Sequence, residues 1–480
     1  MIQKTQEWEI QINSPFLGLC PAFWTTDYPS YGNKNQAGKL QNIDLSNPSF
    51  ITQGSGLSSL TNGTQAGAVT TLIKGILDYA QASDVSFCIG GTKLYKISST
   101  AVTNDGTFPR SVTNMTDGQD VAYYGGNIYY SFNKASGGDM GQLTLPSTFD
   151  DDWLSTSPTG HSSLQGSVPH PLLSAGNDFL YIGNKNYLSS YDGTNATEKD
   201  LDLPSDCVIQ DLAWAQNRIW AAANRPNISG ENKNIASIYV YDGNSPSWED
   251  EITVMGRIGA LFVRNGIVFV FYEDITSTGG YKLGYISGTS IVDVAQFTGS
   301  LPSFYQVTEY KNLIIWVSGS LIWAWGSIDK DVPVSLSQIA DGGYSTIGGI
   351  ACPFGTPIVA SNETTSYKLA VFSGYDTACY WYSLLFDATH NARKSIIQKI
   401  KFTFEKLATG ARMDYTIKNN AGTTLKTGTI SFASDGAITN KDFFPQCEVD
   451  NFRIELSWAN GSATNPVSVR SIKIYGHTII

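Results

Sequence analysis

Apolar residues along this chain come in short runs, broken at close intervals by glycine, asparagine and aspartate. Seven stretches share one form: VSFCIGGTKLYKI (85–97), VAYYGGNIYYSF (121–132), FLYIGNKNYLSSYDG (179–193), LAWAQNRIWAAA (212–223), ALFVRNGIVFVFY (260–272), EYKNLIIWVSGSLIWAWG (309–326) and GIACPFGTPIVAS (349–361). In each, an apolar strand meets a tight turn of the GG, GN, QN, RN or KN kind, and a second apolar strand follows at once. Such turn pairs take positive φ and match the twist of a hairpin. Helix signals are scarce. IKGILDYAQ (73–81) reads equally as one short helix or as a strand.

The hairpins recur. Centred on Phe87, Ile128, Leu180, Ile219, Phe269, Ile315 and Val359, they repeat about every 45 residues, the spacing of β-propeller blades. The count predicts about seven blades, with six or eight still open. The alternative is a set of ordinary hairpins in two sandwiches. Tyr191-Asp192-Gly193, Tyr241-Asp242-Gly243 and, more loosely, Ser373-Gly374-Tyr375-Asp376 read as turns between outer blade strands. After residue 386 the repeat is lost and longer alternating strands follow, such as SIIQKIKFTFEKL and NFRIELSWAN. They predict an antiparallel, jelly-roll-like β-sandwich whose last strand is paired. The expected organisation is all-β: an extended arm (1–65), a β-propeller (66–385) and a C-terminal β-sandwich (386–480).

Composition changes the picture in two ways. Charged residues are only 15% of the 480, against 41% hydrophobic and 12% aromatic. Uncharged polar residues fill the difference, as in extended β proteins and in surfaces that pack against other subunits. The net charge of −11 argues against a nucleic-acid surface, which needs clustered Lys and Arg. The nearest cluster, RKSIIQKIK (393–401), alternates like a strand with a wet face. The opening MIQKTQEWEIQINSPF lacks the apolar core of a signal peptide, and no run is long enough to predict a membrane span.

Candidate chemistry is sparse. Six cysteines, at 20, 88, 207, 352, 379 and 447, show no metal-ligand spacing, and buried free thiols are the expectation. Asp150-Asp151-Asp152 could draw Ca²⁺, but the EF-hand spacing is absent and a solvated acidic loop is expected. SWED (247–250) and SDGA (434–437) are only fragments of a sialidase box. His161, His170, His390 and His477 have no nucleophile at a telling spacing and read as surface or turn residues. Gly279-Gly280 and Gly348-Gly349 read as turns before phosphate cradles. The aromatics of the blades, among them Tyr129, Tyr130, Trp214, Trp220 and Trp316, read as core between blades before carbohydrate platforms. No catalytic residue, metal or cofactor is predicted, and the protein reads as not an enzyme.

The arm remains. NIDLSNPSFITQGSGLSSLTNG (42–63) is polar, rich in glycine and asparagine, and short of core. It follows the aromatics Phe16, Phe23, Trp24, Tyr28 and Tyr31 and precedes the blades. With Gln41-Asn42-Ile43-Asp44-Leu45 and Gln53-Gly54-Ser55-Gly56-Leu57 in place, it resembles virion proteins of tailed bacteriophages. In these an arm with an AxNVDxxxGxLxxRPG-like segment leads into a propeller. Here Gln-Gly-Ser-Gly stands where that family has Arg-Pro-Gly.

The resemblance implies a structural component of the virion, a tail or neck ring protein, assembled in the host bacterial cytoplasm. Its implied partners are copies of itself and other virion proteins. An arm with little core cannot hold itself ordered, since fixing each residue costs about 1–2 kcal/mol. It would be ordered by adding strands to a neighbouring copy, with the five aromatics as anchors. Asn42, Ile43, Asp44, Leu45, Gly54, Gly56 and Leu57 complete the candidate assembly segment. The competing reading is an arm that wraps its own propeller and closes it with a strand. Two alternatives for function remain: a host-recognition protein that binds a host-surface glycan, and a polysaccharide-degrading enzyme.

Overall fold

The computed structural model describes residues 5–19, 34–60, 69–81, 84–103, 105–225, 235–276, 279–327, 335–340, 344–363, 366–388 and 394–479. The chain is all-β. Seven antiparallel sheets follow one another as blades, and two larger sheets form a sandwich.

Five blades are consecutive four-stranded meanders, spanning 115–150, 172–202, 208–255, 258–298 and 307–340. In four of them the turn between the first two strands is the one the sequence predicts; at 172–202 the predicted turn joins the second and third strands. Gly125-Gly126, Gln216-Asn217, Asn265-Gly266 and Lys311-Asn312 all have positive φ at both positions, which suits the strand twist. The caps also form. Asp192 Oδ1 accepts the N–H groups of Thr194 and Asn195 at 2.7 and 2.6 Å, and Asp242 Oδ1 those of Asn244 and Ser245 at 2.9 and 2.8 Å.

The first and last blades are built differently. In the first, the segment around Ile76 is neither helix nor regular strand. It runs along Val85–Gly90 through Leu77 N–H to Phe87 O (2.9 Å) and Ile89 N–H to Gly75 O (2.8 Å). It thereby supplies the innermost strand of a blade completed by Lys93–Ser98 and Arg110–Ser111. The seventh blade takes three strands from 346–373 and its outermost strand, Gly56–Ser59, from the N-terminal segment. That strand closes the propeller.

Gly348 and Gly349 are not turns. They lie in the strand Thr346–Ala351, where the seventh blade meets the first. Gly349 N–H bonds to Ile73 O at 3.0 Å. A Cβ at Gly348 would overlap the Ile73 carbonyl oxygen, and one at Gly349 that of Lys74. The pair is glycine because two backbones touch there.

Between blades the wedge is filled by aromatic rings. Trp316 is fully buried against Phe271 and Phe297, and its indole N–H reaches Tyr281 Oη at 2.9 Å. Tyr129, Trp153 and Tyr191 form a second cluster between the next-door blades at 115–150 and 172–202. These rings are core, as expected.

The sandwich departs from the expected boundaries. One sheet runs in the order Thr5–Asn13, Val469–Ile479, Ser395–Phe404, with Asn440–Phe443 and Cys447–Val449 both beside the last. The other runs Ala37–Gln41, Tyr380–Ser383, Asn451–Ser457, Arg412–Asn419, Thr424–Ser431. The strand Tyr380–Ser383 therefore belongs to the sandwich, ahead of the expected break at 386. Residues 5–13, 37–41 and 56–59 do not form a separate arm. We number these strands β1 (Thr5–Asn13), β2 (Ala37–Gln41) and β3 (Gly56–Ser59).

The expectation of a coreless arm is corrected for the same reason. Ile12, Phe16, Ala37, Leu40, Ile43 and Ile51 are buried in one cluster with Trp381, Trp458, Phe402 and Ile474. These six are placed in the core of a domain encoded more than 300 positions later, while Leu45 and Leu60 join the cores of the blades. The described parts of the segment are packed within their own copy.

Candidate functional site

The segment between β2 and β3 is the site where the sequence concentrates its unusual residues. Asn42 leaves β2 in the left-handed region, at φ +53°, and is fully buried. Asparagine tolerates this conformation better than most residues. Three bonds then fix it. Its N–H reaches Gln338 O of the sixth blade at 2.9 Å, its carbonyl accepts Gly54 N–H at 2.6 Å, and its Nδ2 donates to Asp376 Oδ2 at 2.6 Å.

From Asn42 to Gly54 the chain forms a long hairpin. Ile43 bridges Gln53, and Asp44 N–H bonds to Thr52 O at 3.1 Å. Asp44 Oδ1 accepts Ser46 N–H at 2.7 Å and Asn47 Oδ1 accepts Ser49 N–H at 3.1 Å, two side-chain turns that shape the tip. Gly54 is required, because a Cβ there would stand 2.8 Å from the Asn42 carbonyl oxygen.

Each side of this hairpin grips a different part of the molecule. Leu45 enters the core between the sixth and seventh blades, beside Leu313 and Phe372. Lys311 Nζ donates to Ser46 Oγ at 3.2 Å. On the other side, Ile51 exchanges two backbone bonds with Val469 (2.9 and 3.0 Å), and Ser468 Oγ donates to Thr52 Oγ1 at 3.1 Å. Gln53 Nε2 donates to Asp376 O at 2.7 Å, while Asp376 N–H bonds to Gly54 O at 2.9 Å. Upstream, Phe16 N–H reaches Pro48 O at 2.7 Å, and Leu19 N–H reaches Leu336 O at 2.7 Å. Downstream, Gly56 and Leu57 pair with Ser373 and Phe372.

Of the candidate residues, Phe16, Asn42, Ile43, Asp44, Leu45, Gly54, Gly56 and Leu57 are thus brought together at one junction. Phe23, Trp24, Tyr28 and Tyr31 lie outside the described residues. The junction is a clasp: it binds two blades to both sheets of the sandwich. Cys379 closes its floor, with Sγ donating to Asp376 O at 2.9 Å. Burial, and then the Asp376 charge, push its thiol up to about 12.

A second constellation was not singled out from sequence. Asp120 and Asp211 sit on the innermost strands of their blades, each at a register shift. Asp120 accepts Val121 N–H and, from the next blade, Leu172 N–H, both at 2.8 Å. Asp211 does the same with Leu212 (2.7 Å) and Leu261 (2.6 Å). Asn133 and Asn224 repeat the pattern one strand out. Asn133 bonds Ser167 N–H and Val168 O, and Asn224 bonds Ile258 N–H and O. The signal was present as Gln-Asp at 119–120 and 210–211, each followed by asparagine at the same distance. Burial raises both carboxyls, Asp120 to about 7 and Asp211 well above the ordinary carboxylate range, with the Asp120 charge adding to the latter; the backbone N–H groups oppose the shift. With both oxygens held by backbone N–H groups, these carboxylates are seam fasteners.

Two other expectations change. Asp150–Asp152 is only in part a solvated loop: Asp152 is exposed, Asp150 and Asp151 are not. Asp151 takes hydrogen bonds from Tyr130 Oη (3.1 Å), Arg110 Nη2 (3.3 Å) and Thr113 Oγ1 (3.2 Å), and Asp150 from Ser157 Oγ (2.8 Å). His161 and His170 are buried, not surface residues. Burial pushes His170 down to about 4, and its Nδ1 lies 2.9 Å from Gly183 O. Among the described residues, no group of three or more His, Cys, Asp or Glu is arranged to hold a metal ion. No described helix is long and apolar enough to cross a membrane.

No protein-family model and no curated protein matches the sequence. Among solved structures, the WD40 β-propeller domain of Doa1 aligns over 66% of this chain and 96% of its own, at 12% identity and a TM-score of 0.42. The extracellular domain of a hybrid two-component system protein from B. thetaiotaomicron aligns over 86% of this chain and 58% of its own, at 10% identity and a TM-score of 0.45. An exo-β-1,3-galactanase from Phanerochaete chrysosporium aligns over 67% and 98%, at 10% identity and a TM-score of 0.28. Likeness at this level supports no argument about activity.

Proposed function

We propose that this protein is a non-enzymatic structural component of a bacteriophage virion, a tail or neck ring protein built from repeated copies of one rigid subunit. The observation that carries the reading is the clasp. One N-terminal segment gives a strand to each sheet of the sandwich and a closing strand to the propeller. Pulling on either domain loads the other through buried backbone bonds. A subunit of this kind suits a particle wall, and the Gln41–Leu45 and Gln53–Leu57 segments that resemble phage virion proteins are the parts that build the clasp. The reading differs from the sequence expectation in one respect: residues 34–59 serve the subunit itself, so contacts between copies fall elsewhere.

Electron microscopy and native mass spectrometry of the purified full-length protein test the proposal. Closed rings or tubes of defined copy number are the expected result. A monomer at every concentration overturns it, and binding on a glycan array or turnover of capsular polysaccharide then favours a host-recognition protein or a depolymerase.

A further inference from the structure

The sandwich has two open edges of unlike character. β1 is the outermost strand of its sheet and pairs with Val469–Ile479 in unbroken register, from Thr5 opposite Ile479 to Asn13 opposite Ser471. On its other side, the one hydrogen bond among the described residues is from Asn13 N–H to Asn35 Oδ1, at 3.1 Å. That bond fixes the direction of the backbone. Asn13 turns its N–H away from Val469–Ile479, and in an antiparallel ladder every second residue does the same. The N–H and C=O groups of Glu7, Glu9 and Gln11 therefore form a row that is open among the described residues. Ile12 is buried in the core and Ile10 packs against it, while Glu7 and Glu9 are exposed. No proline, bulge or lysine blunts this edge, and a long, regular edge is a template for another strand.

The opposite edge of the same sheet is blunted. It consists of two short pieces, Asn440–Phe443 and Cys447–Val449, interrupted by Pro445 and by Gln446 at φ +48°. The companion sheet ends on that flank with Thr424–Ser431, because this strand runs through the short helix Phe432–Asp435 into Asn440–Phe443. Gly428 also lies directly against the Phe443 ring. Among the described residues, Thr424–Ser431 pairs with Arg412–Asn419 alone. Its far end is partly covered, since Lys441 Nζ donates to Thr429 O at 2.9 Å and Ser431 N–H to Asp435 Oδ2 at 3.1 Å. Thr424 to Gly428 remains open. This stretch carries exposed Lys426 and no acid.

An acidic open edge and a basic open edge thus stand on opposite flanks of one domain. We infer that β1 of one copy adds as a strand to the Thr424–Gly428 edge of the next copy, with Glu7 and Glu9 facing Lys426. Unlike edges on opposite flanks make a head-to-tail contact, which closes into a ring or extends as a tube. Pairing of β1 with β1 of a second copy would instead crowd four glutamates into one short ladder, and like charges across strands destabilise. This inference rests on the ring reading above and locates its interface.

The test exploits the backbone direction. In the variant Glu9→Pro, an outward N–H and the half-exposed Glu9–Lys473 ion pair (3.8 Å) are lost while the ladder to Val469–Ile479 keeps all its backbone bonds, the one setting in which an edge strand accepts proline. Native mass spectrometry and sedimentation of the full-length parent, Glu9→Pro, Glu9→Lys, Lys426→Glu and the double variant Glu9→Lys/Lys426→Glu give the answer. The charge variants leave the backbone intact and keep the test valid if the proline variant misfolds. Expected are multimers of the parent, loss of multimers in all three single variants, and their recovery in the double variant. Multimers of Glu9→Pro and of Lys426→Glu equal to the parent's overturn this interface while leaving the ring reading standing. A monomeric parent overturns both.

Discussion

Asn42 and Asp376 lie 334 positions apart, and the Asn42 Nδ2 donates to Asp376 Oδ2 at 2.6 Å. Around this bond the N-terminal segment, the last blade and the sandwich meet. The Asp376 main chain is itself held by Gln53 and Gly54, so this residue, through its carboxylate and its backbone, is the pin of the clasp.

Replacing Asn42 by alanine removes a buried bond to a charged group, worth about 1.5–3 kcal/mol. It also puts a residue with no local compensation into the left-handed region. Denaturant titration should show a loss at the upper end of that range. Asn42→Gly restores the backbone freedom but not the bond, and should lose less. Equal stability of all three proteins would remove Asp376 from the account.

Gly349→Ala tests the closure between the first and seventh blades. The added Cβ meets the Lys74 carbonyl oxygen and the backbones must part. Overpacking of this kind costs on the order of 3 kcal/mol. Faster amide exchange at Ile89, Gly349 and their neighbours is expected before any change in the sandwich.

Asp120 predicts a pH dependence. Its folded value of about 7 lies above the unfolded value of about 3.9. The folded state therefore holds a proton that the unfolded state has released between these limits. The contribution to stability is complete below about pH 4 and is lost as pH rises through about 7. The slope is at most about 1.4 kcal/mol per unit. Asp211 is raised by burial in the same sense. Asp120→Asn should flatten the decline in thermal melts run from pH 4 to pH 8; an unchanged slope would contradict the assignment.

The described cysteines are all free, and Cys88, Cys207 and Cys379 are buried. Burial raises the Cys88 thiol, and raises Cys379 to about 12. Peptide-resolved labelling at pH 8 should leave these three unmodified until denaturant is added, because the thiolate is the reactive form.

What the sequence made legible was local. Gly125-Gly126, Gln216-Asn217 and Asn265-Gly266 announce their turns because the conformation depends on two adjacent residues. Repetition of those turns pointed to blades, about seven of them, with six or eight still open. What stayed hidden was non-local. Ile12 and Ile51 look like stray apolar residues until Ile474 and Val469 are placed beside them. Gly348-Gly349 read as a turn because nothing nearby showed a second backbone at contact distance. His170 read as a surface residue because its bond to Gly183 O forms only once the blade is folded. Asp120 and Asp211 were readable as a spaced pair, but their role depended on which N–H the next blade would bring.

The central claim is that the clasp makes propeller and sandwich one cooperative body. Differential scanning calorimetry of the full-length protein tests it most directly. The account predicts a single transition whose calorimetric and van't Hoff enthalpies agree, splitting into two when Asn42 and Gln53 are both replaced by alanine. Two separate transitions in the parent protein would contradict it.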